Sequence, residues 1–136
     1  VPKVLLFLLM MAVASYSASW RESKTFLLKK DELAKIMVKS TGQERLLNFR
    51  WTLYTDKALV VHESFDRIVG QHILEGTSQS FSKRFLPADK SEMDVPYAVV
   101  VFKKFDEENQ TAQFDLLLFD KENRVKLDYL TKTTEK

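Results

Sequence analysis

His62 and His72 are the only imidazoles in this 136-residue chain, and cysteine is absent altogether. Without thiols there is no cysteine nucleophile, no disulfide framework and no Cys-based zinc site. Two histidines ten residues apart, outside any H-E-x-x-H pattern, do not spell a metal centre. No G-x-S-x-G elbow or glycine-rich phosphate loop occurs either. A carboxylate pair for glycoside hydrolysis meets only in space, so spacing cannot reveal one. The acidic run Asp106-Glu107-Glu108-Asn109 lacks the alternation of a calcium loop and reads as a solvated hairpin tip. No catalytic residue, metal or cofactor is therefore assigned, and the chain leans away from an enzyme.

What remains is contact chemistry. His62 reads either as a histidine packed beside Trp51 or as a ligand contact. Tyr54, Tyr97 and Tyr129 fall near the ends of expected strands, and an aromatic cluster there with Arg50 would suit a peptide or glycan. Arg50, Tyr54, His62, Tyr97 and Tyr129 are thus the candidate contact residues. Separately, Asn109-Gln110-Thr111 is an N-x-T acceptor with Glu107 two residues upstream of the asparagine. That pattern resembles the extended acceptor of bacterial N-glycosylation systems, and a hairpin loop would expose it.

The elements that must position these residues are short strands. Only three glycines and three prolines punctuate the chain, so turns rely on Asp, Asn, Lys and Ser. Strands are expected over Thr25–Lys30, Leu46–Tyr54, Ala58–Phe65, Ile68–Leu74, Gln79–Phe85, Tyr97–Phe105, Gln113–Phe119 and Arg124–Leu130. Residues 31–39 are ambiguous: Leu33, Ile36 and Met37 fit a short helix, whereas Ala34, Ile36 and Val38 alternate as a strand, the preferred reading. Thr55-Asp56-Lys57 closes a hairpin in which pairing Thr55 with Ala58 sets Leu53 beside Val60 facing inward, Trp51 beside His62 and Arg50 beside Glu63. The last three strands form a meander with Phe102, Leu116 and Leu127 in one row and Val100, Leu118 and Val125 in another. Lys103 then sits beside Asp115, and Asp115 opposes Asp128. Val99, Val101, Leu117 and Phe119 leave the second face of that meander apolar toward one end, which suggests cover by another sheet, a helix or a partner. Phe49, Trp51, Phe102, Phe114 and Phe119 are expected in the core. Together these features predict an all-β fold, an antiparallel sandwich or small barrel of about seven or eight strands.

Ahead of these strands, Lys3 precedes an apolar run from Val4 to Val13 and then small residues to Ser19. This is the pattern of a secretory leader cut between residues 14 and 19. A retained transmembrane anchor would need about 20 apolar residues, so membrane attachment is expected only if the leader is kept. With no cysteine at the cut, lipid anchoring is excluded. The expected organisation is a leader over 1–19, one β domain over 20–130, and a polar, frayed tail over 131–136. Both charge signs are interspersed and the net charge is +2, which gives no case for nucleic-acid binding. The reading is an exported, periplasmic binding, adaptor or accessory module for a protein or cell-envelope component. Its rival is a small cell-envelope hydrolase or ligand carrier with a site inside the sandwich or barrel. An enclosed apolar cavity would favour the rival; a filled core with an apolar patch outside would favour the binding module.

Overall fold

Among the described residues nine strands form, and their inward-facing apolar side chains meet in one shared core. The computed structural model describes residues 19–86 and 95–134. The strands are β1 (Glu22–Lys29), β2 (Ala34–Ser40), β3 (Gln43–Thr55), β4 (Ala58–Phe65), β5 (Ile68–Leu74), β6 (Ser80–Arg84), β7 (Tyr97–Asp106), β8 (Thr111–Phe119) and β9 (Lys126–Tyr129). They make two antiparallel sheets, a four-stranded one ordered β1-β8-β7-β6 and a five-stranded one ordered β5-β4-β3-β2-β9. From β2 to β8 the chain is a meander folded in half between β5 and β6, which gives an open β-sandwich. Residues 34–40 are strand and not helix: Ala34, Ile36 and Val38 are fully buried while Lys35 points to solvent. The alternation there serves a sheet face, which a helical stripe would not.

Phe49 on β3 sits at the centre of the core. Its ring meets Phe26 at 5.6 Å, Phe81 at 6.1 Å and Phe114 at 5.4 Å, each edge-on. Trp51 donates its indole N–H to the Leu28 carbonyl at 2.8 Å, tying the five-stranded sheet to β1 of the other.

Two bulges reset the expected registers. The Asp56-Lys57 turn, with both residues at positive φ (49° and 64°), pins Thr55 opposite Ala58 and Leu53 opposite Val60 as expected. A bulge between Trp51 and Leu53 then places Trp51 opposite Val61, Arg50 opposite His62 and Phe49 opposite Glu63. Strict pairing would have set the inward Trp51 against His62; the extra residue restores apolar against apolar. As a result Leu53 faces solvent, half exposed, and Arg50 does not meet Glu63. In the β7–β8 hairpin Phe102 opposes Phe114, Val100 opposes Leu116 and Val101 opposes Asp115. That is a shift of two residues from the expected rows, which leaves these side chains on their expected faces, while a bulge between Phe102 and Lys104 turns Phe105 toward the core, against Trp51. Phe102, Val100, Leu116, Leu118, Val125 and Leu127 are accordingly all buried.

The third strand of the expected meander leaves its sheet. β9 pairs with β2, with Leu127 opposite Val38 and Tyr129 opposite Ile36. Asp128 therefore lies 2.6 Å from Lys39, away from Asp115, and that hydrogen-bonded contact lowers the pKa of Asp128 and raises that of Lys39. The crossover is organised by Asp120, a buried carboxylate that accepts from the Arg124 and Val125 amides at 3.0 Å each. The Arg21 guanidinium donates to it at 2.7 Å. The tail expected to fray is held through Thr134: its amide and carbonyl bond Thr25, and the Thr131 hydroxyl receives the Lys35 amide. An Asp120→Ala variant is expected to lose about 3 kcal/mol of stability, since charged hydrogen bonds contribute roughly 1.5–3 kcal/mol each and two amides are left wanting partners. Urea denaturation of the variant against the parent measures this loss.

Candidate functional site

The bulge that moves Arg50 opposite His62 also builds the best candidate site. Arg50, His62 and Gln71 form one row across the outer face of β3, β4 and β5, and Asn48, Ser64 and Val69 form the next. Together with Leu33 they line an open groove of about 620 Å³. Ser64 donates to Asn48 at 2.8 Å, which fixes the floor of the second row. Among the described residues, the side chains of Arg50, His62 and Gln71 make no hydrogen bond or ion pair with other protein groups. They are polar heads held on a rigid sheet with their bonding capacity turned outward. Val69, 80% exposed, and Leu53–Val60–Ile73 in the adjoining row supply an apolar margin.

Of the five contact candidates, the structure brings together Arg50 and His62 and separates the rest. His62 does not pack beside Trp51, which points inward from the opposite face. Tyr54 stacks on Phe105 at 3.9 Å near the sandwich end. Tyr97 stacks on Phe119 at 4.9 Å on the outer face of the four-stranded sheet, which removes Phe119 from the expected core. Tyr129 turns into the seam between β1 and β9, where its hydroxyl donates to Glu22 at 2.5 Å. Burial, and then the bond to Glu22, push its phenol well above the ordinary value. Asn109 is exposed at the β7–β8 tip, but its side-chain amide donates to Asp106 at 2.8 Å. That bond, first among several causes, holds the Asp106 carboxyl below the usual range.

A second polar cluster escaped sequence reasoning. Glu63 on β4 and Lys83 on β6 belong to different sheets, yet Lys83 Nζ lies 2.8 Å from Glu63 Oε1. His72 Nε2 lies 3.5 Å from the same oxygen, and the His72 ring stacks on Phe81 at 4.4 Å. Gly70 makes the room: a Cβ built there would stand 2.4 Å from Glu63 Oε1. Glu63 Oε2 is buried without a hydrogen-bond partner. The signal in the sequence was a carboxylate at an inward position of β4, in the series Leu59, Val61, Glu63, Phe65. With Lys83 in contact, the carboxylate is neutralised by an ammonium and is poorly suited to a cation. No group of three or more His, Cys, Asp or Glu able to hold a metal occurs among the described residues.

No protein-family model, curated protein or solved structure matches the chain.

Two measurements check these assignments. Lys83→Met is expected to cost about 2 kcal/mol, because it strands a buried carboxylate, with Lys83 partly exposed and the full 3–5 kcal/mol of a deep pair discounted accordingly. Adding Glu63→Leu should return the double variant to within about 1 kcal/mol of the parent in the same denaturation assay. For Tyr129, the folded chain holds the phenol proton more tightly than the unfolded chain does. Its contribution is complete below the ordinary value of 10.0 and is lost as pH rises beyond it. Tyr129→Phe should remove the last tyrosinate to appear in an ultraviolet titration and flatten the alkaline fall in stability.

Proposed function

We propose that the chain is a binding module, exported to the periplasm, that holds a protein or cell-envelope partner against the outer face of its five-stranded sheet. The observation that carries this reading is the row Arg50–His62–Gln71, unpaired among the described residues and aligned in an open groove on the outer face of the sheet. A guanidinium presents a planar fork of donors that matches a carboxylate or phosphate. His62 and Gln71 beside it add donors and acceptors, and the apolar margin adds area removed from water. An acidic group on an otherwise mixed surface is the ligand chemistry that this combination suits. The near-neutral charge argues against a nucleic acid. Export rests on the Lys3 and Val4–Val13 pattern, which lies outside the described residues; if that segment is kept, the same module is tethered at a membrane.

The rival, a cell-envelope hydrolase or carrier with an internal site, draws on Glu63, His72 and Lys83. Against it, Glu63 is already committed to Lys83, and the grooves among the described residues open on the surface. Replacing His62 by a photocrosslinking residue in the native host tests the binding reading. A discrete adduct is expected, weakened about ten-fold by Arg50→Ala, the effect of losing one charged contact of about 1.4 kcal/mol. The same residue placed at Gln113, on the other sheet, should give none. An absent adduct, or one indifferent to Arg50→Ala, defeats the proposal.

A further inference from the structure

Edge strands leave backbone donors and acceptors open to other chains, and three of the four edges here are blunted. β1 is bridged to Thr134. β9 is four residues long, and β6 is five and carries Lys83 and Arg84. β5 has neither device. Its seven residues, Ile68–Leu74, contain no lysine, proline, carboxylate or bulge. They also include Ile68, Val69 and Ile73, exposed by 72%, 80% and 58%.

The turn before β5 fixes which of its amides are open. Asp66 and Arg67 both have positive φ, 51° and 69°, and form a two-residue turn in which Phe65 and Ile68 bond each other. In an antiparallel ladder the bonded pairs then recur at Gly70, His72 and Leu74, so the backbone groups of Val69, Gln71 and Ile73 point away from β4. Glu75, next in that series, confirms the direction: it exchanges bonds with Ser78 on the open side at 3.0 and 2.8 Å. The free edge therefore runs from Val69 to Ile73 and stops there.

We infer that this edge pairs with the same edge of a second copy of the chain, antiparallel, with the dyad at Gly70. Charge selects this occupant. β5 is uncharged in itself but is flanked by Arg67 at one end and Glu75 at the other, both exposed and without side-chain partners among the described residues. Antiparallel pairing of two copies lays the arginine end of each strand beside the glutamate end of the other, twice. A foreign strand would find the same amides but not this reciprocity. Sterics place the dyad: the second copy's hairpin turn must stop short of Ser78, which centres the pair on Gly70. Val69 then opposes Gln71 of the second copy and exchanges both bonds with it, and the reverse. Gly70 meets its own symmetry mate without a side chain, at the closer of the two spacings in such a ladder. Arg67 stands diagonal to Glu75 of the second copy, within reach of a long side chain. The two five-stranded sheets become one sheet ten strands wide. The Arg50–His62–Gln71 row of each copy lies on the same face of it. The inference does not depend on what fills either groove.

Sedimentation velocity of the purified chain, from micromolar to sub-millimolar concentration, tests it; a contact of small area associates in that range. A reversible monomer–dimer equilibrium is expected. Gln71→Pro should abolish the dimer without lowering the unfolding midpoint, since the amide it removes is unused within the fold. Arg67→Glu and Glu75→Arg should each weaken the dimer about ten-fold, each change acting twice across the dyad. The doubly exchanged chain should recover it. A monomer at every concentration overturns the inference, even if the chain captures some other peptide. So does a dimer that survives Gln71→Pro, or one that the charge exchange fails to restore.

Discussion

One ring holds the two layers together. Phe49 reaches from β3 of the five-stranded sheet to rings carried by β1, β6 and β8, three of the four strands opposite. Edge-on aromatic pairs contribute about 0.5–1.5 kcal/mol each beyond the area they bury. The larger effect is positional: for one ring to meet three others, the inner faces of both sheets must present their large side chains at matching heights. Trp51, two residues on, extends the same requirement to the Leu28 carbonyl. The turns, the bulges and the crossover are the means by which a chain with few glycines meets it.

That constraint explains what could be read from the sequence alone. Where a strand runs without a bulge, which residues face inward was legible, because alternation is a local property: Ala34, Ile36 and Val38, or Val100 and Phe102, declare their face without knowing their neighbours, whereas Leu53, beside the β3 bulge, does not. Registers were not, because the turn at Asp56-Lys57 and the apolar match of Trp51 with Val61 make conflicting demands that only an extra residue resolves. The destination of β9 was hidden as well. Nothing local to Lys126–Tyr129 distinguishes pairing with β8 from pairing with β2; Asp120, gathering two amides and Arg21, turns the chain toward the second sheet.

The site followed the same division. Arg50 and His62 were singled out for their chemistry, and the bulge made them neighbours. Tyr54, Tyr97 and Tyr129 share a residue type but sit on an end, an outer face and a seam, places fixed by pairings that no spacing encodes. Glu63 was overlooked for a plainer reason. A carboxylate in an alternating strand invites assignment to the wet face, and its counter-ion Lys83 is twenty residues away on the opposite sheet. Gly70 was the available clue, a glycine inside a strand where a close approach is needed.

The pairing of β1 with β8 bears on the order in which the molecule can be made. Glu22 lies opposite Leu118, so β1, the earliest described strand, has no strand to pair with in its sheet until β8 exists. β2 to β5 can zip up one hairpin at a time as they appear, but β1 must wait, and the four-stranded layer with it. Contacts so distant along the chain form slowly relative to hairpins. A nascent chain of this topology is obliged to stay incomplete until β8 is available.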